Sequence, residues 1–305
     1  EAVEDFNKAI ELEKKDYLYY WRGLVEKNLN LYENAIKDFE NAINLNPEKW
    51  QSYNQLGIIY SKIKNYEKAI EYYNKAITLN PKYSVLYSNR GNLNECLNSY
   101  EKAIKDYDQA IKLNPNDIEN YRDRVLLRKK LGQLEQAIED CNKVIELDSL
   151  YKDEIDEIYN EIIDSFKGRI DRKNKLTKIY YKIGDTYLRL EDIDNAIKYY
   201  LQANTQEPKN QIPYIKIGVA YKQDNDLDNA LKNFNKALEL NSDYAEGYYQ
   251  RGLCYEEMGV FDNAVEDYTK TIELDNKNLE AYCHRGKIYL KDKKYKKALA
   301  DFEKY

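Results

Sequence analysis

The chain is short of nearly everything that catalysis and metal binding use. Its 305 residues hold one histidine, one methionine, two tryptophans and four cysteines. Cys96, Cys141, Cys254 and Cys283 show no CxxC spacing. That excludes an ordinary zinc site or disulfide framework, so no metal is expected and a reducing, cytoplasmic compartment is. No Gly-rich phosphate loop or nucleophile elbow appears. His284 is isolated in the sequence and reads as a surface residue, because a general base needs an oriented partner. The chain therefore predicts no cofactor and no enzyme. No stretch is apolar enough for a membrane span, the first residues lack a signal-peptide core, and mean hydropathy is -0.86. A formal charge of -6 and a pI near 5.3 argue against a general nucleic-acid binder, which needs a basic face.

What is abundant is order. Tyrosine recurs at 19, 53, 87 and 121, and again at 180, 214, 248 and 282. The spacing is 34 residues throughout, apart from one interval of 59, which equals one period plus a 25-residue insert. A period of that size means stacked supersecondary units. Full units fall at 16–49, 50–83, 84–117 and 118–151, then at 177–210, 211–244 and 245–278, with a truncated unit at 279–305.

Within a unit, position 8 is glycine at 23, 57, 91, 184, 218, 252 and 286, with Val125 the exception. Glycine inside a helix costs about 1 kcal/mol relative to alanine, so its repetition implies close approach of a second helix. Position 20 is always alanine, from Ala35 to Ala298, and four residues on comes a larger side chain such as Phe39, Tyr73 or Tyr200. A small residue usually returns three later, as at Ala42 and Ala76. Spacings of four and three keep these on one helical face. Pro47, Pro81, Pro115 and Pro208 end the second helix. Each unit is predicted to be a helix hairpin, and the fold an all-α superhelical solenoid in two arrays.

Tyr53, Leu56, Gly57, Tyr60, Ala69, Tyr73, Ala76 and Pro81 form the cleanest copy of a pattern that resembles the tetratricopeptide repeat, with Tyr for Trp at its first position. The resemblance covers all but about 25 residues. The 35-residue pentatricopeptide family is the nearest rival, and the strict period and acidic charge count against it. Ala2, Phe6 and Ala9 look like the second helix of an earlier unit, and Tyr305 falls inside a second helix. The expectation is a fragment of a longer protein.

Between the arrays, Ile155, Ile158, Tyr159, Ile162, Ile163 and Phe166 make one apolar stripe with acids on the other faces. That pattern suits a cap. The expected division is a first array over 1–166 ending in this helix, a basic linker over 167–176 (Lys167, Arg169, Arg172, Lys173, Lys175), and a second array over 177–305. One unbroken superhelix is the alternative.

The resemblance implies a groove lined by unit positions 2, 5, 6, 9, 12 and 13 of the first helices. In the second array Tyr181, Ile215, Val219, Tyr249, Leu253 and Cys283 are apolar at positions 5 and 9, on a face expected to meet solvent. Lys178, Lys182, Arg189, Lys216 and Lys222 surround the first half, and Glu246, Glu256, Glu257 and Glu280 the second. Such polarity would orient an extended peptide with apolar anchors, acidic at one end and basic at the other. The first array offers Tyr20, Trp21, Leu24, Asn54, Ile58, Asn89, Asn92, Arg122 and Leu126, with Trp21 the expected hot spot. Two functions the family is known for are not supported. The Lys and Asn set that holds a C-terminal carboxylate is missing around Asn89, and position 6 carries no asparagine ladder.

These residues predict a non-catalytic adaptor that binds peptide segments of partner proteins. The alternative is a structural subunit of a cytoskeletal or ciliary assembly, held by its edges and outer face. A regulatory arm of an enzyme is a third reading.

Overall fold

The chain is described here by a computed structural model covering residues 2–166 and 173–304. Those residues form eighteen α-helices. The helix α1 (Ala2–Leu12) precedes the hairpins α2 (Asp16–Asn28) with α3 (Tyr32–Leu45), α4 (Trp50–Lys62) with α5 (Tyr66–Leu79), α6 (Ser84–Cys96) with α7 (Tyr100–Leu113), and α8 (Ile118–Lys130) with α9 (Leu134–Leu147). After α10 (Lys152–Phe166) come α11 (Lys173–Arg189) with α12 (Ile193–Gln206), α13 (Ile212–Gln223) with α14 (Leu227–Leu240), α15 (Ala245–Glu257) with α16 (Phe261–Leu274), and α17 (Leu279–Lys291) with α18 (Tyr295–Phe302). Each 34-residue unit is one antiparallel hairpin, stacked on the next within its own array.

The glycine rule has a direct cause. A Cβ on Gly57 would lie 2.6 Å from Tyr73 Cε1, and one on Gly184 2.5 Å from Tyr200 Cε1. The Cδ1–Cε1–Cζ edge of the aromatic ring from the second helix occupies the point on the first helix where no side chain exists. Unit 118–151 breaks both halves of the rule together, with Val125 where glycine stands and buried Cys141 where the ring would be. Volume moves from one helix to the other and the gap stays filled.

A second device escaped the sequence reading. Arg22, Arg90, Arg124, Arg251 and Arg285, all at unit position 7, bind Asp38, Asp106, Asp140, Asp267 and Asp301 sixteen residues on. Each contact uses two guanidinium nitrogens, and the aspartates are all but buried, at 2–5% exposure. A third nitrogen reaches back to the preceding hairpin, as in Arg90 Nη1 to Asn74 at 2.6 Å and Arg251 Nη1 to Asn235 at 2.7 Å. One planar fork therefore ties the two helices of a unit to each other and to the unit before.

By contact the chain divides into Glu1–Asp156 and Glu157–Tyr305, inside α10. All six residues of its apolar stripe are buried. Glu154 pairs with Arg122 of the first unit, whereas the Tyr159 ring meets Tyr187 and Tyr199 of the second. The helix therefore has contacts on both sides of the division, Glu154 before it and Tyr159 after it. Of the expected linker, Lys175 and Leu176 already lie in α11, with Leu176 buried. Lys167, Arg169 and Arg172 lie outside the described residues.

Candidate functional site

In the second unit the groove face is built by α11, α13, α15 and α17. At the joint between α11–α12 and α13–α14 it opens a cavity of about 250 Å³. Leu188, Ile212, Ile215 and Val219 supply apolar walls, with the rings of Tyr200 and Tyr244. Asp185, Lys216 and Glu246 supply its charge. Tyr200, buried from α12, sends its hydroxyl through the gap to donate to Asp185 Oδ1 at 2.7 Å. Lys216 Nζ approaches the same oxygen at 2.6 Å and lies 5.5 Å from the centre of the Tyr200 ring. Burial and the Asp185 charge hold the Tyr200 hydroxyl well above its ordinary pKa, so it stays a donor.

The predicted groove residues are less open than their spacing suggests. Ile215 is 6% exposed and packs with Ala230, Phe234, Ala237 and Cys254, touching the cavity from the core side. Val219 packs beside the same cluster and forms another wall. Tyr181 is half-buried, its hydroxyl enclosed without a hydrogen-bond partner, and burial pushes its pKa up. Tyr249 and Leu253 pack onto the cluster around Tyr268, away from the cavity. The physical reason is that each hairpin leans on the next, so positions 5 and 9 face the joint as much as the groove.

The expected charge polarity is largely neutralised within the chain. Lys216 is taken by Asp185, Lys222 lies 3.9 Å from Glu257, and Glu246 accepts from Gln250. Lys178 is exposed, Lys182 half-buried, and Arg189 donates to Thr186. His284 is not isolated. Its Nδ1 lies 2.8 Å from Glu256 Oε2, which also accepts from the Tyr268 hydroxyl at 2.7 Å. The partner is 28 residues away in sequence, one unit back, and only the repeat register could have indicated it.

In the first unit, Trp21 is 52% exposed, its ring edge-on to Tyr20. Leu126 is exposed as well, whereas Asn54 is buried and accepts from Asn89. Lys27 donates to Gln55 across the first joint. Among the described residues no group of three or more His, Cys, Asp or Glu side chains is placed to hold a metal. No helix there is long and apolar enough to cross a membrane.

Family models agree with this architecture. Tetratricopeptide repeat models match residues 50–83, 84–117 and 245–278, and 17–49, 124–149, 177–210 and 279–305; a TPR repeat model matches 220–259. The chain belongs to the tetratricopeptide repeat family. A tetratricopeptide repeat chain of this kind is a protein-interaction scaffold. No curated protein matches it. Similar solved structures include a tetratricopeptide repeat protein from Parabacteroides merdae, at 17% identity over 94% of this chain and 99% of that one, TM-score 0.41. YrrB, described as a TPR protein with an unusual peptide-binding site, is 20% identical over 68% of this chain and 95% of its own, TM-score 0.35. MamA is 21% identical over 70% and 91%, TM-score 0.31.

Proposed function

We propose that the chain is a non-catalytic, cytoplasmic adaptor whose second unit holds an extended segment of a partner protein. The observation that supports this is the cavity between α11–α12 and α13–α14. An apolar pocket of about 250 Å³ flanked by a few fixed polar groups suits one large side chain of a peptide. Leu188, Ile212 and Val219 provide the contact, and Lys178 and Lys182, on the same helix as Leu188, would meet an acidic part of the segment. Trp21 provides a separate contact in the first unit.

The test is selection of random twelve-residue peptides on the whole chain, repeated on Val219→Phe. Phenylalanine fills the cavity from its edge and leaves the core residue Ile215 in place. The expected result is a family of peptides sharing one apolar anchor, bound by the native chain and lost from Val219→Phe at unchanged melting temperature. A selection in which no apolar-anchored class is lost from Val219→Phe would overturn the reading and favour an assembly subunit held by its outer face.

A further inference from the structure

The groove of the first unit contains a counterpart of the Tyr268–Glu256–His284 cluster, with one member changed. Glu95 stands at unit position 12, as Glu256 does, and Tyr107 at position 24, as Tyr268 does. The buried Tyr107 likewise sends its hydroxyl through the glycine gap, 3.2 Å from Glu95 Oε2 and 2.7 Å from Asn92 Oδ1. In the second unit the remaining place, position 6 of the next hairpin, is His284, set 2.8 Å from the glutamate. At the joint between 177–210 and 211–244 Lys216 fills position 6 and sits 2.6 Å from Asp185, which stands at position 9 and also accepts from the position-24 hydroxyl of Tyr200. At the joint after Glu95 that position is Asp123. A carboxylate stands where two equivalent joints supply a nitrogen base or cation from within the chain.

The like charges are felt. Burial first, then Glu95 and Glu119, push the Asp123 carboxyl up to about 6. The nearby cation relieves them only in part, because Arg122 is shared with Glu119 at 3.0 Å and Glu154 at 3.0 Å and lies over the Tyr151 ring. Two observations thus meet. One is a pair of half-buried acids on the groove face, and the other is a tyrosine-bound carboxylate that meets a nitrogen group from position 6 elsewhere in this molecule, a glutamate with His284 and an aspartate with Lys216. We infer that the joint between α6–α7 and α8–α9 binds a lysine or arginine side chain of a partner segment, seated against Glu95 and Asp123. The partner supplies in trans what His284 and Lys216 supply in cis. Opposite charge at a half-buried groove site fixes the register of a bound segment and excludes acidic competitors. The inference concerns the first unit and stands or falls separately from the cavity in the second.

The test uses the whole chain and the same random twelve-residue peptide pool, counter-selected on two variants. Asp123→Lys places a cation in the register of Lys216 and should satisfy Glu95 from within. Val219→Phe blocks only the second unit. We expect a peptide class with lysine or arginine at one fixed place that survives Val219→Phe. Its affinity should fall about tenfold or more both in Asp123→Lys and when the peptide cation is replaced by norleucine. Glu95→Gln should weaken it as well, and the melting temperature of Asp123→Lys should equal or exceed that of the native chain. No such class, or one indifferent to Asp123→Lys, would overturn the inference.

Discussion

The hairpin 16–49 places a carboxylic acid where two later units place hydrogen-bond donors. Glu26 occupies unit position 11, the position of Asn94 and Arg128. Asn94 Nδ2 donates to Asp106 at 2.9 Å and Arg128 Nη1 to Asp140 at 2.8 Å. Glu26 instead faces Asp38, whose oxygens already take Arg22, and its own Oε2 is buried without a hydrogen-bond partner. Burial, and then the Asp38 charge, raise its carboxyl from 4.5 to about 7. An acid whose pKa is raised by folding keeps its proton in the folded chain after the unfolded chain has lost it. Stability therefore falls as pH rises from about 4.5 to about 7, by about 3 kcal/mol at most, at about 1.4 kcal/mol per unit. Glu26→Gln removes the charge and offers Asp38 an amide donor, as Asn94 does for Asp106. The expected gain is about 2–3 kcal/mol at pH 8, shrinking to about 0.5 kcal/mol at pH 4, where only the new hydrogen bond remains. Solenoid units unfold semi-independently, so a local probe is needed. The two tryptophans, Trp21 on the same helix and Trp50 opening the next hairpin, provide one. Urea titrations of their fluorescence between pH 4 and 8 decide the matter. A native midpoint flat across that range, or a variant that tracks it in parallel, would refute the reasoning.

Two further outcomes follow from the packing. Cys141→Tyr alone should destabilise unit 118–151 by about 1–3 kcal/mol, because its ring would meet Val125 as the other rings would meet a Cβ on their glycines. Adding Val125→Gly should recover most of that loss in a double-mutant cycle, and simple additivity would contradict the exchange of volume between helices. Arg251→Ala should cost about 3–5 kcal/mol by leaving Asp267, 4% exposed, without its partner. Arg251→Lys should restore little of this in thermal melts, since lysine cannot also span to Asn235; full rescue would reduce the fork to a simple charge.

The hairpins were legible in the sequence because one steric event, a ring seated on a glycine, repeats every 34 residues and forces the same small and large residues to recur. The Arg–Asp forks left a trace too, arginine at position 7 with aspartate sixteen on, but units such as 50–83, with Leu56 and Tyr72 there, hide it. Groove exposure was harder to read. Whether Ile215 faces solvent or the core depends on how far one hairpin leans on the next, and the repeat pattern does not encode that angle. His284 looked isolated for a related reason: Glu256 is its neighbour only once units stack.

The central claim is that the groove face of the second unit carries a partner segment. A crystal structure of the chain with its tightest apolar-anchored peptide tests this most directly. The account predicts a peptide side chain inside the cavity bounded by Leu188, Ile212 and Val219, with the Lys216–Asp185 pair at its edge. A peptide lying on the outer face of α12 and α14, with the cavity unfilled, would contradict it.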